Sequence, residues 1–534
     1  MKKKIPFYND LDKWRLFTSI GFFLIVVLLA WQSDDAYHGY VMSRNLAEGY
    51  GLVYNVGERA TASTCPLFTL IIAVFYFITR EMYFTSLFVC AVFSTAAYVI
   101  LVYKFCRTKE QVIISFITLT GSQAFMSYTT SGLENSLLFL LSAVFLKLID
   151  KKETFDGKTM FFLALTISLL AMARMDSVLV FVPVIVWIYL FRREKVSFVK
   201  AVGIGILGLL PFILWEVFAT FYFGFPFPNP AYVKLGTSIA MSEYIKRGIL
   251  YTVYTGLYDT VVIAIPFVTV LLALFTKKLK YMLTAAGVAL YGVYIIRIGG
   301  DFMMGRHFTN IFFVSTALAV MMINDTTIDM KKLPVIRRLF YGTAFAAIIF
   351  AATFGRTNGS QYLSGHKYSS QISDEREYYY GTTGLYNNVV SLIKTGRLCV
   401  SDTWNDDAPE DLRSRGYNGG IIDNAAGILV YYNPDLYLND TYSLGDPFLS
   451  KLPAEYDPNW RVGHLRREVP HGYRASIWFN ENRIDDDDLY EYYDKIRLIT
   501  RGGLFNKDRI RTIIDMNLGK YNYLVDRYEQ RRKS

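Results

Sequence analysis

The sequence predicts a polytopic α-helical membrane protein with about eleven transmembrane helices, followed by a C-terminal extracytoplasmic α/β domain. Composition is the first observation. Of 534 residues, 53% are hydrophobic and 19% charged, against about 25% charged in an ordinary soluble domain. The second is where the charge deficit falls. Apolar runs fill residues 16–354, and the remainder reads as soluble sequence. The third is the placement of Lys and Arg in short clusters between the runs, as in the cytoplasmic loops of membrane proteins. These divide the chain into a membrane part, 1–355, with a first outer loop at about 33–81, and a soluble C-terminal part, 356–534.

Spanning the hydrocarbon layer takes about 20 apolar residues. Runs of that kind lie near 14–32, 83–103, 111–125, 135–149, 159–173, 178–192, 200–222, 257–275, 281–297, 308–323 and 337–354. The run 66–78 is shorter and has no flanking basic cluster, so it reads as an interfacial or re-entrant helix within the first outer loop. The first apolar run ends in Trp31-Gln32-Ser33-Asp34-Asp35 without a small-residue cleavage site, which marks an uncleaved first span. With Met1-Lys2-Lys3-Lys4 in the cytoplasm, the loops around 104–109, 147–158, 192–195, 277–280 and 331–338 fall on the same side, and all are basic-rich. The alternate loops, 121–135, 173–177, 223–256 and 299–306, are poorer in Lys and Arg, and they place the C-terminal part outside. The implied location is a bacterial plasma membrane with a periplasmic or extracellular tail.

The net charge of +10 is accounted for by these clusters and gives no reason to expect nucleic acid as a partner. Cys65, Cys90, Cys106 and Cys399 form no CxxC pair, so neither a zinc site nor a disulfide framework is expected.

Ionisable residues at membrane depth are costly and usually functional. Here they gather at the outer ends of the spans. Asp34 and Asp35 follow the first span, with Tyr37 and His38 beside them; adjacent carboxylates at a span end make a poor anchor. Glu134, Asp176, Asn229 and Lys234 lie in the following outer loops, and Gly299-Gly300-Asp301 precedes Arg306-His307. The glycine pair permits close backbone approach to a ligand, and Arg matches phosphate oxygens bidentately. Plainer readings exist: an Arg174–Asp176 ion pair tying a loop, and a Glu134 favoured by a helix dipole.

Glycosyl transfer from a lipid phosphate needs such a set. A carboxylate takes the proton of the acceptor hydroxyl, for which Asp34 and Asp35 are the candidates. Cations stabilise the departing phosphate; Arg306, His307, Lys234, Arg44 and Arg59 are candidates for that task. Asp301, Tyr37, Glu134, Asp176, Asn229 and His464 are candidate substrate contacts. No Gly-rich phosphate loop or dinucleotide-binding pattern is present, which disfavours a cytoplasmic nucleotide-sugar enzyme. No metal ligand set is assigned; a divalent cation is compatible with the carboxylate pair but not implied.

Three stretches carry a family resemblance. Asp34-Asp35-Ala36-Tyr37 with Arg44-Asn45-Leu46-Ala47-Glu48-Gly49-Tyr50-Gly51-Leu52-Val53-Tyr54-Asn55-Val56-Gly57-Glu58-Arg59 resembles the first outer loop of GT-C arabinofuranosyltransferases of the AftB type. Gly299-Gly300-Asp301-Phe302-Met303-Met304-Gly305-Arg306-His307-Phe308 looks like that family's second signature. Gly445-Asp446-Pro447-Phe448-Leu449, Trp460-Arg461-Val462-Gly463-His464-Leu465 and Val469-Pro470-His471-Gly472-Tyr473 form a third match. The resemblance implies a GT-C fold, a polyprenyl-phosphate arabinofuranose donor, a catalytic role in the Asp34-Asp35 pair, and site roles for Asp301 and Arg306. The acceptor class it implies is a cell-envelope glycan or glycoprotein. The chain departs from the family at Ala60-Thr61-Ala62-Ser63-Thr64-Cys65-Pro66, where acceptor choice can differ.

In the tail, Arg397–Asp402 and Gly427–Tyr431 read as strands, and Tyr490–Ile499 and Lys507–Asp515 as helices. Two other functional classes compete. A transporter of polyprenyl-linked sugar predicts internal repeats and mid-membrane polar residues. A lipid-linked oligosaccharide polymerase or ligase favours outer-loop arginines and histidines without a carboxylate pair.

Overall fold

The computed structural model describes residues 10–235, 237, 239–355, 371–403, 421–422, 427–455, 457 and 460–533. The basic start Met1–Lys4 and the opening of the expected tail domain at 356–370 lie outside the described residues. The chain forms two compact units. One comprises Met1–Gln32, Leu87–Pro211 and Met241–Tyr386; the other comprises Ser33–Ser86, Phe212–Ala240 and Asn387–Ser534.

In chain order the helices are α1 (Asp10–Leu28), α2 (Asp34–Ala47), α3 (Pro66–Thr79), α4 (Tyr83–Ile100), α5 (Lys109–Thr120), α6 (Gln123–Ser127), α7 (Asn135–Ile149), α8 (Gly157–Ala173) and α9 (Val182–Phe191). Then come α10 (Phe198–Phe223), α11 (Asn229–Leu235), α12 (Met241–Tyr258), α13 (Thr260–Thr276), α14 (Leu279–Arg297), α15 (Phe308–Ile323) and α16 (Leu333–Phe350). The tail holds α17 (Glu375–Thr383), α18 (Leu385–Thr395), α19 (Cys399–Thr403), α20 (Gly427–Tyr432), α21 (Tyr473–Phe479), α22 (Asp487–Arg501), α23 (Lys507–Asn517) and α24 (Asn522–Lys533). Strands β1 (Ile421–Ile422) and β2 (Tyr437–Leu438) pair in parallel.

Each of the eleven apolar runs is mostly helical, with breaks at Gly121–Ser122, Phe181 and Asp259, and the run 66–78 forms the short helix α3, with Pro66 in its first turn where a missing N–H costs nothing. By length and composition, four described helices can cross a membrane: α4 with its extension to Phe105, α10, α14, and α16 extended to Thr353; a fifth span is counted if α12 and α13 act as one bent pair. The others fall short for two reasons. Helix α1 carries Asp12, Lys13 and Arg15 in its first two turns. Helices α7, α8, α9 and α15 have 10–17 residues, about 15–25 Å at ~1.5 Å per residue, less than the ~30 Å hydrocarbon core.

Helix α15 is the axis of the first unit. Every residue from Phe308 to Met322 is buried, as expected of a helix apolar on all sides. Phe312 and Phe313 meet Phe125, and Phe313 meets Phe139. Ser142 on α7 donates to Asn310 on α15 at 2.9 Å. One end of this unit gathers the basic loops. Arg15 donates to the carbonyls of Val102 and Cys106, Arg107 to that of Asn324, Lys280 to that of Lys152, and Lys332 to that of Phe275. Helices α7, α8, α14 and α15 each run between this end and the Glu134, Arg174, Arg297 and His307 end.

Two expectations change. The outer loop 223–256 contains the 18-residue helix α12, bent 109° from α13. The break is at Asp259, whose carboxylate caps Val262 at the start of α13 and accepts from Ser122 (2.6 Å) and Ala124 N–H (2.8 Å). Mixed composition (Glu243, Lys246, Arg247) hides α12 from an apolar-run search. The tail is also more helical than expected: Cys399–Thr403 and Gly427–Tyr432 are helices rather than strands, and the described sheet is one two-residue pair. In the second unit Tyr437, Phe448, Tyr473, Leu489, Tyr493 and Ile499 share one core.

Close helix packing in the first unit depends on glycine. A Cβ on Gly248 of α12 would stand 2.0 Å from the Ile296 carbonyl, and one on Gly287 of α14 would stand 1.8 Å from that of Val180. Gly248→Ala and Gly287→Ala are each expected to destabilise the protein by about 1–3 kcal/mol through overpacking. Thermal unfolding of the purified chain in detergent checks this; an unchanged midpoint contradicts the packing.

Candidate functional site

The sequence-predicted residues fall into two groups, one in each unit. The first group begins helix α2. Asp34 and Asp35 form its first turn, and His38 follows one turn later. One ligand atom from each of the three lies within 4.8 Å of the others, a set able to hold a metal ion. The two carboxylates have different surroundings. Asp34 accepts the backbone N–H of Gly427 at 3.1 Å and that of Ile428 at 2.8 Å, and so caps helix α20. Burial pushes its carboxyl above the ordinary range, while His38 and the two amides pull the other way. Asp35 makes no hydrogen bond among the described residues. His38 shares a 2.9 Å hydrogen bond between Nδ1 and the Tyr54 hydroxyl.

The approach of α20 to α2 requires Gly427. A Cβ there would stand 2.3 Å from the Asp34 carbonyl oxygen and 3.1 Å from Tyr37 Cβ. Tyr37 is buried against Tyr40, Tyr431 and Tyr432. Arg44 donates to the Tyr431 carbonyl at 2.5 Å, with its guanidinium 4.9 Å from the Tyr431 ring centre.

Other expected residues of this unit serve elsewhere. Arg59 donates to the carbonyls of Ile499 and Gly502, closing the C-terminal end of α22. Asn229 begins α11; its backbone N–H donates to the Thr61 carbonyl at 3.2 Å, and its buried side-chain nitrogen has no partner among the described residues. Lys234, on the same helix, is exposed, with its aliphatic chain beside Gly463. His464 stacks edge-on to Tyr442 at 5.1 Å, with Nδ1 3.3 Å from the Val462 carbonyl oxygen. Arg44 lies ten residues beyond Asp34, about 15 Å along the axis, so neither it nor Arg59 meets the carboxylate pair through the contacts it makes.

The second group lies in the first unit, where the structure brings together Glu134, Asp176, Asp301, Arg306 and His307 around Arg174. Arg174 donates to Glu134 (2.9 Å) and bidentately to Asp176 (2.8 and 3.2 Å), and lies 3.1 Å from His307 Nε2. Arg306 donates to both oxygens of Glu134 (3.1 and 3.2 Å) and lies 3.6 Å from Asp301. His307 Nε2 is 3.1 Å from Asp301. The Gly299–Gly300 turn is left-handed at both residues (φ 85° and 73°), and a Cβ on Gly300 would enter the Tyr251 ring at 2.4 Å. The glycines thus bring the backbone against an aromatic ring. Tyr251, outside the sequence-predicted set, donates to the Met303 carbonyl at 3.0 Å.

Burial raises Glu134, but Arg306 and Arg174 overcome that and hold it at about 2. Burial and the Arg174 charge lower His307, so its imidazole is neutral near pH 7. Three carboxylates then face two guanidiniums. Each guanidinium is already matched, so a phosphate binding Arg306 would have to compete with Glu134. Arg174 is the organising residue the sequence reading left outside its site; the Arg-x-Asp spacing at the end of α8 was the available signal.

No protein-family model matches the chain, and no curated protein matches it.

Glu134→Gln would leave two buried guanidiniums without their shared counter-charge, an expected loss of about 3–5 kcal/mol. The sign with pH follows from the lowered pKa. Glu134's contribution is complete above its ordinary value of 4.5 and is lost as pH falls toward about 2. Unfolding midpoints measured from pH 7 to pH 3 check both statements; a variant as stable as the parent contradicts them.

Proposed function

We propose that this chain is a GT-C-type membrane glycosyltransferase that takes a sugar, arabinofuranose by its resemblance to the AftB-type enzymes, from a polyprenyl-phosphate donor. It passes the sugar to a cell-envelope glycan or glycoprotein on the outer face of the plasma membrane. One observation carries the reading. In the first turn of the helix that follows α1, Asp35 has no hydrogen-bond partner among the described residues, while its neighbour Asp34 is engaged by two backbone amides. That division separates a reacting carboxylate from a positioning one.

On this reading Asp35 is the general base and takes the acceptor hydroxyl proton. The bond between the anomeric carbon and the phosphate oxygen breaks, the acceptor oxygen bonds to that carbon, and the carrier leaves as polyprenyl phosphate. Asp34 fixes the helix start, and His38, tied to Tyr54, borders the pair. Lys234, exposed and in the same unit as Asp35, is the candidate cation for the leaving phosphate. The four or five membrane-length helices support a lipid-borne donor, and the basic loops at one end of the first unit support an N-terminus in the cytoplasm. Two carboxylates and an imidazole, Asp34, Asp35 and His38, would suit a divalent cation that takes mixed oxygen and nitrogen ligands.

Transfer from a labelled polyprenyl-phosphate arabinofuranose by the full chain in proteoliposomes tests the proposal. Asp35→Asn is expected to lower kcat about 10²–10⁴-fold with an unchanged unfolding midpoint. Asp34→Asn is expected to lower both activity and stability, because an amide presents one acceptor oxygen to two N–H groups. Parent-like turnover by Asp35→Asn would remove the base from the scheme.

A further inference from the structure

The C-terminal end of α10 is bound by α23. Arg509, completely buried, donates from Nη2 to the carbonyls of Phe221 (2.8 Å) and Tyr222 (2.9 Å). Asn517 donates to the Gly224 carbonyl at 2.8 Å. The Phe221 and Tyr222 carbonyls are among the last of α10, which lack helical partners. Gly224 leaves the helix with φ 86°, so close to α22 that a Cβ would stand 2.1 Å from Ile499. The Phe505 ring, just before α23, lies 5.6 Å from that of Phe221.

Helix α10 is a 26-residue apolar helix with only 17% of its most apolar window buried inside the protein. Over its second half, Ile213, Leu214, Val217 and Phe218 are exposed. A helix of this kind is solvated by lipid, and its last carbonyls mark the edge of the apolar layer. Helix α23 crosses at that level.

The two faces of α23 differ. Arg509, Thr512, Ile513 and Met516 are buried. On the opposite side Ile510, Ile514 (55% exposed) and Leu518 (79%) stand at i, i+4 and i+8 spacing, and Phe505 (82%) is exposed just ahead of the helix. Lys507 and Arg511 lie on this same apolar side by helical spacing, and Asp508 and Asp515 fall to its edge. Apolar side chains interleaved with cations suit the boundary between acyl chains and anionic headgroups.

We infer that Phe505, Ile510, Ile514 and Leu518 seat α23 in the headgroup–acyl boundary of an anionic bilayer, so that the second unit is held to the membrane beside α10 by an in-plane helix as well as by the spanning one. The surface needs α10 to cross the membrane and is independent of any glycosyl transfer.

Nitroxide labels at Phe505→Cys and Leu518→Cys test this, with Asp526→Cys on α24 as reference. The full chain, with its four native cysteines replaced by serine, is placed in phosphatidylglycerol-containing nanodiscs. At positions 505 and 518, collisions with lipid-soluble oxygen are expected to exceed those with a water-soluble nickel complex several-fold, with the order reversed at 526. Nickel-dominated accessibility at 505 and 518 would overturn the inference. Protection from both reagents with label–label broadening would overturn it in favour of a contact between two copies of the chain. Because both side chains are exposed, neither substitution removes a core contact.

Discussion

The Asp34 carboxylate receives two amides from a segment 393 and 394 residues further along the chain, and the geometry of the second unit's site depends on that junction. Hydrogen bonds from backbone amides to a carboxylate are charge-assisted and about twice as strong as neutral ones. Here they join the start of one helix to the start of another. Gly427 permits the approach, Tyr37 fills the space between the helices, and Arg44 closes the far end of α20 at the Tyr431 carbonyl. With α20 held in this way, Asp34 is committed to structure, and among the described residues the adjacent Asp35 is not.

The first unit applies the same physics with side-chain charges. Glu134 at the start of α7, Arg174 at the end of α8 and Arg306 just before α15 form a buried chain of ion pairs. A buried pair gains little over a well-packed apolar contact but is costly to break. It therefore fixes which helix ends sit together. The charges are at helix ends, where backbone groups also need partners, rather than midway along apolar segments. Asp259 does comparable work at the α12–α13 break, joining that turn to the start of α6.

The apolar runs were legible because hydrophobicity over 15 or more residues leaves few alternatives to helix, and all eleven are mostly helical. What the runs did not disclose is which helices are long enough to cross a bilayer, since charges in α1 and the shortness of α9 matter as much as mean apolarity. Helix α12 was hidden because its amphipathic face carries Glu243, Lys246 and Arg247 among apolar residues. The stretch Gly427–Tyr431 reads as a strand from its β-branched and aromatic residues, yet capping by Asp34, a contact with no local signal, accompanies a helix. The site residues divide along the same line. The sequence grouped Glu134, Asp176, Asp301, Arg306 and His307 by their place at span ends, and the structure brings them together. Arg44 and Arg59 looked like phosphate ligands from their charge alone. Their carbonyl partners, Tyr431, Ile499 and Gly502, are hundreds of residues away and could not be read from the first outer loop.

The proposed chemistry requires Asp35 to be reached from outside the cell and the loop around Lys331 to face the cytoplasm. Substituted-cysteine labelling in intact spheroplasts measures this directly, using Asp35→Cys and Lys331→Cys variants of the full chain and a membrane-impermeant maleimide. The account predicts labelling at position 35 from outside and labelling at position 331 only after the membrane is permeabilised. The reverse pattern, with position 331 reached from outside and position 35 protected until lysis, would contradict it.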